Sequence, residues 1–172
     1  MPTGNTTTRH AHDGDAEAIA RIYNQGIADR IATFETEPRT AADIRAALAE
    51  RGQRFPTVVA ERDGQVVAWA AAGQYRSRPC YAGVAEYSVY TAREARGTGA
   101  GLAVLQALLQ AAEERGLWKL LSRIFPENTP SLGLARKVGF TEVGVYRRHG
   151  KLDGAWRDCV IVEKLLGEAA AD

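Results

Sequence analysis

Arg96-Gly97-Thr98-Gly99-Ala100-Gly101 stands between a predicted strand, about Val84–Thr91, and a stretch where Leu102, Leu105, Leu109 and Ala112 recur at i, i+3, i+7 and i+10. That recurrence is one face of an amphipathic helix and predicts a helix from about Gly99 to Arg115 lying on a sheet. A plain strand-to-helix turn needs a single glycine. Three at alternate positions let the backbone approach a ligand closely and aim its N–H groups at it. The helix start adds partial positive charge, so the loop suits a pyrophosphate, with Arg96 as a full charge beside it. A P-loop would end in Gly-Lys-Ser/Thr, and a dinucleotide fingerprint would need Gly or Ala where Leu102 stands. The stretch therefore reads as a phosphate cradle of another kind.

Outward from the cradle, the elements follow from capping and turn chemistry. A short strand near Thr7–Ala11 precedes Asp15, read as the cap of a helix carrying Ile19, Ile22, Tyr23 and Ile27. The loop Ala32–Arg39 leads to Thr40-Ala41-Ala42-Asp43, a capping-box start for a helix with Ile44 and Leu48, stopped by Gly52. Strands over Val58–Glu61 and Gln65–Gln74 flank the hairpin turn Asp63-Gly64. After the cradle helix come a strand over Trp118–Ile124 and a short helix opened by Thr129-Pro130 and ended at Gly139. Two strands close the chain, about Phe140–Arg148 and Ala155–Leu165, with a turn at Asp153-Gly154. The order β-α-α-β-β-β-α-β-α-β-β predicts an α/β fold, a mixed and mostly antiparallel twisted sheet with flanking helices. It is neither a barrel nor a doubly wound Rossmann domain.

Composition narrows the function classes. With 172 residues, 45% hydrophobic and 25% charged, the chain has the balance of one globular domain spanning 1–172. A net charge of +1 makes neither nucleic acid nor membrane a natural partner. The longest apolar run, Val66–Ala72, is too short to span a bilayer, and the polar start Met1–Arg9 lacks a signal-peptide core. Cys80 and Cys159, far apart, read as free thiols of a cytoplasmic chain. His10, His12 and His149 form no ligand set, so no metal is expected. Only four of the 22 cationic residues are lysines, which favours forked recognition of small anions.

The cradle matches the Arg/Gln-x-x-Gly-x-Gly/Ala motif of the GNAT superfamily of N-acetyltransferases. Asn128-Thr129-Pro130-Ser131 and Val138-Gly139-Phe140 resemble that superfamily's second coenzyme-contacting helix. The element order agrees from about Thr7 to Leu166. Within the superfamily, Thr33–Pro38, Tyr75-Arg76-Ser77-Arg78, Val84–Tyr90 and Asp153–Asp158 resemble phosphinothricin acetyltransferases. Ile124–Asn128 together with Arg76-x-Arg78 are most similar to the arsenic-resistance branch, which is associated with arsinothricin.

The resemblance implies the acyl-CoA N-acyltransferase fold and acetyl-CoA as cosubstrate, held by Val89, Tyr90, Arg96, Gly97, Thr98, Gly99, Ala100, Gly101, Asn128 and Ser131. It implies a small-molecule amino-acid substrate, glutamate-like with a tetrahedral anion, whose acetylation confers resistance. It also implies a homodimer paired through the C-terminal region, where Val160, Ile161, Val162 and Leu165 suit an interface.

The residues themselves fit that chemistry. An amino-acid amine is mostly protonated at neutral pH and must lose a proton before attacking a thioester. Glu86 lies among core-type residues of a strand, on one face with Ser88 and Tyr90, where a carboxylate is costly unless used or paired. The competing reading is a Glu paired with a neighbouring Arg. Alignment with the family makes Glu86 the general base, direct or through water. Leu132-Gly133-Leu134-Ala135 stands where the superfamily's acidic tyrosine is expected, so the proton donor to the thiolate is unassigned. Arg76 and Arg78, two apart, share a face if their strand persists, and suit bidentate recognition of a tetrahedral anion; the competing reading is a charged strand end. Phe34 packs on the substrate or belongs to the core, and His149 lines the pocket or is structural. The alternatives are a protein N-terminal acetyltransferase, against which the arginine pair argues, and a non-catalytic acetyl-CoA-binding module, which has no need of Glu86.

Overall fold

The computed structural model describes residues 4–171, so Met1–Thr3 of the expected polar start, and Asp172, lie outside the described residues. Eleven principal elements follow in the expected order: β1 (Thr7–His10), α1 (Ala16–Asp29), α2 (Ala41–Arg51), β2 (Thr57–Arg62), β3 (Gln65–Gln74), β4 (Val84–Thr91), α3 (Ala100–Glu114), β5 (Lys119–Ile124), α4 (Thr129–Lys137), β6 (Thr141–Leu152) and β7 (Ala155–Leu165). The strands form one seven-stranded sheet in the order β1-β2-β3-β4-β5-β7-β6. Every pairing is antiparallel except β4 with β5. No helix among the described residues is long and apolar enough to cross a membrane.

Local chemistry explains most boundaries. The capping box at Thr40 is complete, its hydroxyl accepting from the Asp43 N–H while the Asp43 carboxylate accepts from the Thr40 N–H. Asp63 and Gly64 both adopt positive φ, as a two-residue hairpin turn requires. Asp15 departs from expectation. Its carboxylate makes no capping bond to α1. It accepts instead from Nη1 and Nη2 of Arg9, both at 2.8 Å, and from the His12 N–H. A charged fork outcompetes a backbone cap at this 4% exposed position.

The buried face of α3 is also rotated from the expected one. Ala100, Val104, Leu105, Leu108, Ala111 and Ala112 are buried, while Leu102 and Leu109 are half-buried at its margins. The face is set by packing against β3 and β2 as well as β4, which the spacing of four apolar residues does not encode.

The last hairpin differs most. β6 runs on to Leu152 because a bulge after Tyr146 absorbs the irregular stretch up to Gly150. Arg148 sits there at φ 50°, its N–H held by Asp158 Oδ1 at 2.7 Å. Val160 and Val162, expected at an interface, are core residues at 7% and 1% exposure. Within this hairpin the exposed large apolar side chains are Val143, Val145 and Tyr146 on the edge strand β6, with Trp156 and Leu165 on β7. Cys159 is buried and Cys80 exposed, both as free thiols.

Candidate functional site

β4 and β5 pair only at Val84–Lys119, Ala85–Leu120 and Glu86–Leu121, and then separate. β4 stays on β3 as far as Thr91, while β5 stays on β7 as far as Ile124. Among the described residues no strand pairs with the β5-facing edge of β4 beyond Glu86. Across the opening, the Ser122 hydroxyl donates to the Tyr87 carbonyl at 3.0 Å, a side chain substituting for the missing ladder bond. The opening leads into a cleft of about 550 Å³ between the N-terminus of α3, one face of α4 and the end of α1.

The cradle forms one wall. Gly97 and Gly99 have φ of 73° and 91°, and a Cβ on either would meet nothing within 4 Å. Backbone conformation and open space, rather than packing, thus demand glycine at both positions. At Gly101 a Cβ would lie 3.0 Å from Thr91 Oγ1 and 3.5 Å from Leu134, so that glycine lets α3 close on β4 and α4. No side chain caps α3 at Gly99, so its first N–H groups remain available at the positive end of the helix dipole.

Of the expected coenzyme contacts, Val89, Tyr90, Arg96, Gly97, Gly99, Gly101, Asn128 and Ser131 line the cleft. The Thr98 and Ala100 side chains do not. Thr98 donates to the Ala95 carbonyl and accepts from Arg62, and Ala100 is core.

Arg96 is not a free charge. Its Nη2 lies 2.7 Å from Asp29 Oδ2, and Arg93 Nη2 lies 2.7 Å from Oδ1. Partial burial opposes ionisation of Asp29, but the hydrogen bonds from Arg93 and Arg96 outweigh it and hold the carboxyl below its usual range. Lys137 also lines the cleft and escaped the sequence reading. Its signal was Pro130, Gly133, Leu134 and Lys137 at i, i+3, i+4 and i+7, one face of α4 turned to the ligand rather than the core.

Glu86 sits at the point of separation, opposite Gly73 of β3 and sharing a sheet face with Ser88 and Tyr90. Tyr90 continues that face as packing, stacked on Trp69 at 5.1 Å and seated against Gly26, where a Cβ would come within 2.7 Å of the ring. Glu86 Oε2 lies 2.9 Å from Arg123 Nη2. The arginine partner weighed from sequence therefore exists, and both residues stay partly exposed at the opening. Arg123 was missed because alternation along β5 marks it only as one more outward charge.

Arg76 and Arg78 do not share a strand face, because β3 ends at Gln74. Both are exposed in the loop that follows, with the Arg76 guanidinium 5.1 Å from the Tyr75 ring centre. Phe34 is half-buried, edge-on to Phe125 at 4.8 Å in a small cluster with Leu152 and Cys159. Its ring occupies the space a Cβ would need at Gly150. His149 is exposed beside that glycine, its ring 4.8 Å from Tyr146. The α4 segment contains no tyrosine. Tyr87, at the opening, has a buried hydroxyl with no hydrogen-bond partner, and burial pushes that phenol well above its usual range. Among the described residues no group of His, Cys, Asp and Glu side chains has the arrangement of a metal site.

Known proteins share these features. Residues 19–140 match the acetyltransferase (GNAT) family. Over 163 residues the chain is 37% identical to the phosphinothricin N-acetyltransferase of Alcaligenes faecalis, covering 93% of this chain and 82% of that one. Over 157 residues it is 32% identical to the L-methionine sulfoximine/L-methionine sulfone acetyltransferase of Pseudomonas aeruginosa, covering 90% and 91%. The solved structure of a phosphinothricin acetyltransferase from Sinorhizobium meliloti in complex with AcCoA superimposes with a TM-score of 0.90 at 31% identity, covering 97% of this chain and 91% of that one.

Proposed function

Because this chain belongs to the acetyltransferase (GNAT) family and has its fold, we propose that it moves the acetyl group of acetyl-CoA to the α-amino group of a small glutamate-like amino acid ending in a tetrahedral group. Phosphinothricin, methionine sulfoximine and arsinothricin are the substrates of that class, and resistance to such toxic amino acids in the cytoplasm is the consequence. The carrying observation is the position of Glu86 where β4 leaves β5, on the strand that goes on, from Val89, to line a cleft suited to a pyrophosphate.

The chain's residues divide the work. The N–H groups of Gly97–Leu102 hold the pyrophosphate, aided by Lys137, with Arg96 fixed beside it by Asp29. Acetyl-CoA, when bound, supplies an activated acyl carbon at the opening. Glu86 takes a proton from the substrate ammonium, directly or through water, so that nitrogen attacks the acyl carbon. The carbon–sulfur bond breaks, coenzyme A leaves as its thiolate, and the nitrogen's second proton reaches that thiolate through water. Arg76 and Arg78 reach the tetrahedral end of the substrate from the loop after β3, and Phe34 and His149 bound the pocket below the last hairpin.

Two copies pair through the edge strand β6, where Val143, Val145 and Tyr146 are each more than half exposed; light scattering at micromolar concentration reads that state. Thiol release from acetyl-CoA tests the function, across phosphinothricin, arsinothricin, methionine sulfoximine, glutamate and peptides with free N-termini. Turnover with the tetrahedral amino acids and none with peptides is expected. Turnover with peptides alone would assign the chain to protein N-terminal acetylation.

A further inference from the structure

Arg123 stands beside the proposed base with most of its donors unused. Its Nη2 is 2.9 Å from Glu86 Oε2, while among the described residues its Nε and Nη1 donate to nothing and Glu86 Oε1 accepts nothing. It also lines the small cavity inside the β4–β5 opening, of about 60 Å³, together with Ser88, Asn128 and Ser131. A partly exposed ion pair contributes little to stability, so holding the fold does not account for a fork left open at this place.

We propose that Arg123 binds the α-carboxylate of the substrate and thereby restricts the enzyme to free amino acids. The inference rests on the reading above, with Glu86 as the base for an α-amine. In an α-amino acid the nitrogen and the carboxylate share one carbon, which puts a carboxylate oxygen within roughly 3 Å of the nitrogen. An amine on Glu86 Oε1 therefore brings its own carboxylate to a guanidinium already bonded to Oε2. The Glu86 contact uses only one of the two Nη2 hydrogens, so one forked edge of the guanidinium, Nη2 with Nε or Nη2 with Nη1, stays open to a carboxylate. Arg76 and Arg78 stand in the loop that begins just past the Gly73–Glu86 pairing, and on this reading they hold the other end of the substrate. A peptide N-terminus offers an amide carbonyl in place of the carboxylate, so the open edge of Arg123 gains only a neutral acceptor. Glu86 sets where the amine goes, and Arg123 sets which amines qualify.

The test compares phosphinothricin with its α-carboxamide in wild type, Arg123→Ala and Arg123→Lys. Wild type should favour the acid in kcat/KM by about 10- to 150-fold, the loss expected for one charged hydrogen-bond partner. Arg123→Ala should bring the acid down to the level of the amide and leave the KM for acetyl-CoA unchanged. Arg123→Lys should restore part of the preference, since an ammonium keeps the charge without the fork. Arg123→Gln, closer in length to the native side chain, repeats the measurement if the alanine variant does not fold. A role confined to supporting Glu86 would lower both substrates together, so an acid-to-amide ratio unchanged from wild type overturns the inference alone. Wild type that acetylates no free amino acid overturns the underlying reading and the inference with it.

Discussion

On the cleft side of the β4–β5 opening, the binding groups are backbone atoms of one continuous segment, Gly97–Leu102, with Asn128 and Ser131 added from the start of α4. On the proposed acceptor side they are side chains from separate places. Glu86 comes from β4, Arg123 from β5, Arg76 and Arg78 from the loop after β3, Phe34 from the loop after α1, and His149 from the bulge of β6. A backbone cradle is rigid because its donors belong to the start of a helix already anchored by Val104, Leu105 and Leu108 in the core. Its geometry suits a pyrophosphate. An acceptor site of converging side chains can be retuned one residue at a time. Under the proposed function, cosubstrate affinity should therefore depend on the first region, and rate and substrate choice on the second.

The sharpest separation comes from Glu86→Gln. The amide keeps a carbonyl for Arg123 and nearly the same shape, so fold and acetyl-CoA binding should persist. Turnover near neutral pH should fall by on the order of 10²–10⁴-fold, the contribution of a positioned base. The deficit should narrow at high pH, where free amine is already abundant. Steady-state kinetics over pH measure it, and unchanged turnover at neutral pH would remove Glu86 from the chemistry.

Arg76→Ala and Arg78→Ala should each cost about 10- to 150-fold in kcat/KM for phosphinothricin or arsinothricin. The KM for acetyl-CoA should barely move, and glutamate, expected to be a poor substrate, should lose less. Equal losses on glutamate and phosphinothricin would mean that these arginines do not read the tetrahedral group. Their loop placement makes Arg→Lys a weak substitute, because an exposed ammonium lacks the planar fork.

Gly99→Glu probes the other region. A side chain at φ 91° costs about 1–3 kcal/mol, and it places a negative charge beside the pyrophosphate position. KM for acetyl-CoA should rise on the order of 10–100-fold, with the ranking of amino-acid substrates kept. If substrate ranking changed as well, the two regions would not be separable.

The smallest effect is expected from Asp29→Asn, measured as stability rather than activity. Because the folded-state pKa of Asp29 lies below its unfolded value, the carboxylate contributes stability at pH values above the ordinary carboxylate range. That contribution fades as pH falls through the folded-state value. The substitution should therefore cost about 1 kcal/mol at pH 7 and close to nothing under strongly acid conditions. Denaturant midpoints at the two pH values decide it.

Much of this molecule is readable from local chemistry. The element order, the hairpin turn at Asp63-Gly64, the capping box at Thr40 and the cradle all depend on residues within a few positions of one another, so spacing alone carries them. The readings that needed correction share the opposite property. Asp15 turned from capping α1 to Arg9 because the folded chain brings β1 and its fork alongside. Arg96 was committed to Asp29, which is 67 positions away. Val160 and Val162 moved from a supposed interface to the core because β7 lies between β5 and β6, leaving β6 at the edge.

The sequence by itself therefore determined the fold class and the cosubstrate cradle, since helix periodicity, glycine φ and turn chemistry are short-range properties. Only the tertiary structure decided which charges meet. The parting of β4 from β5 after Glu86, the Arg123 beside it and the loop that carries Arg76 and Arg78 depend on contacts tens of residues apart in the chain. At such separations an arginine in the sequence shows that a charge is present, and only the packed fold shows what that charge faces.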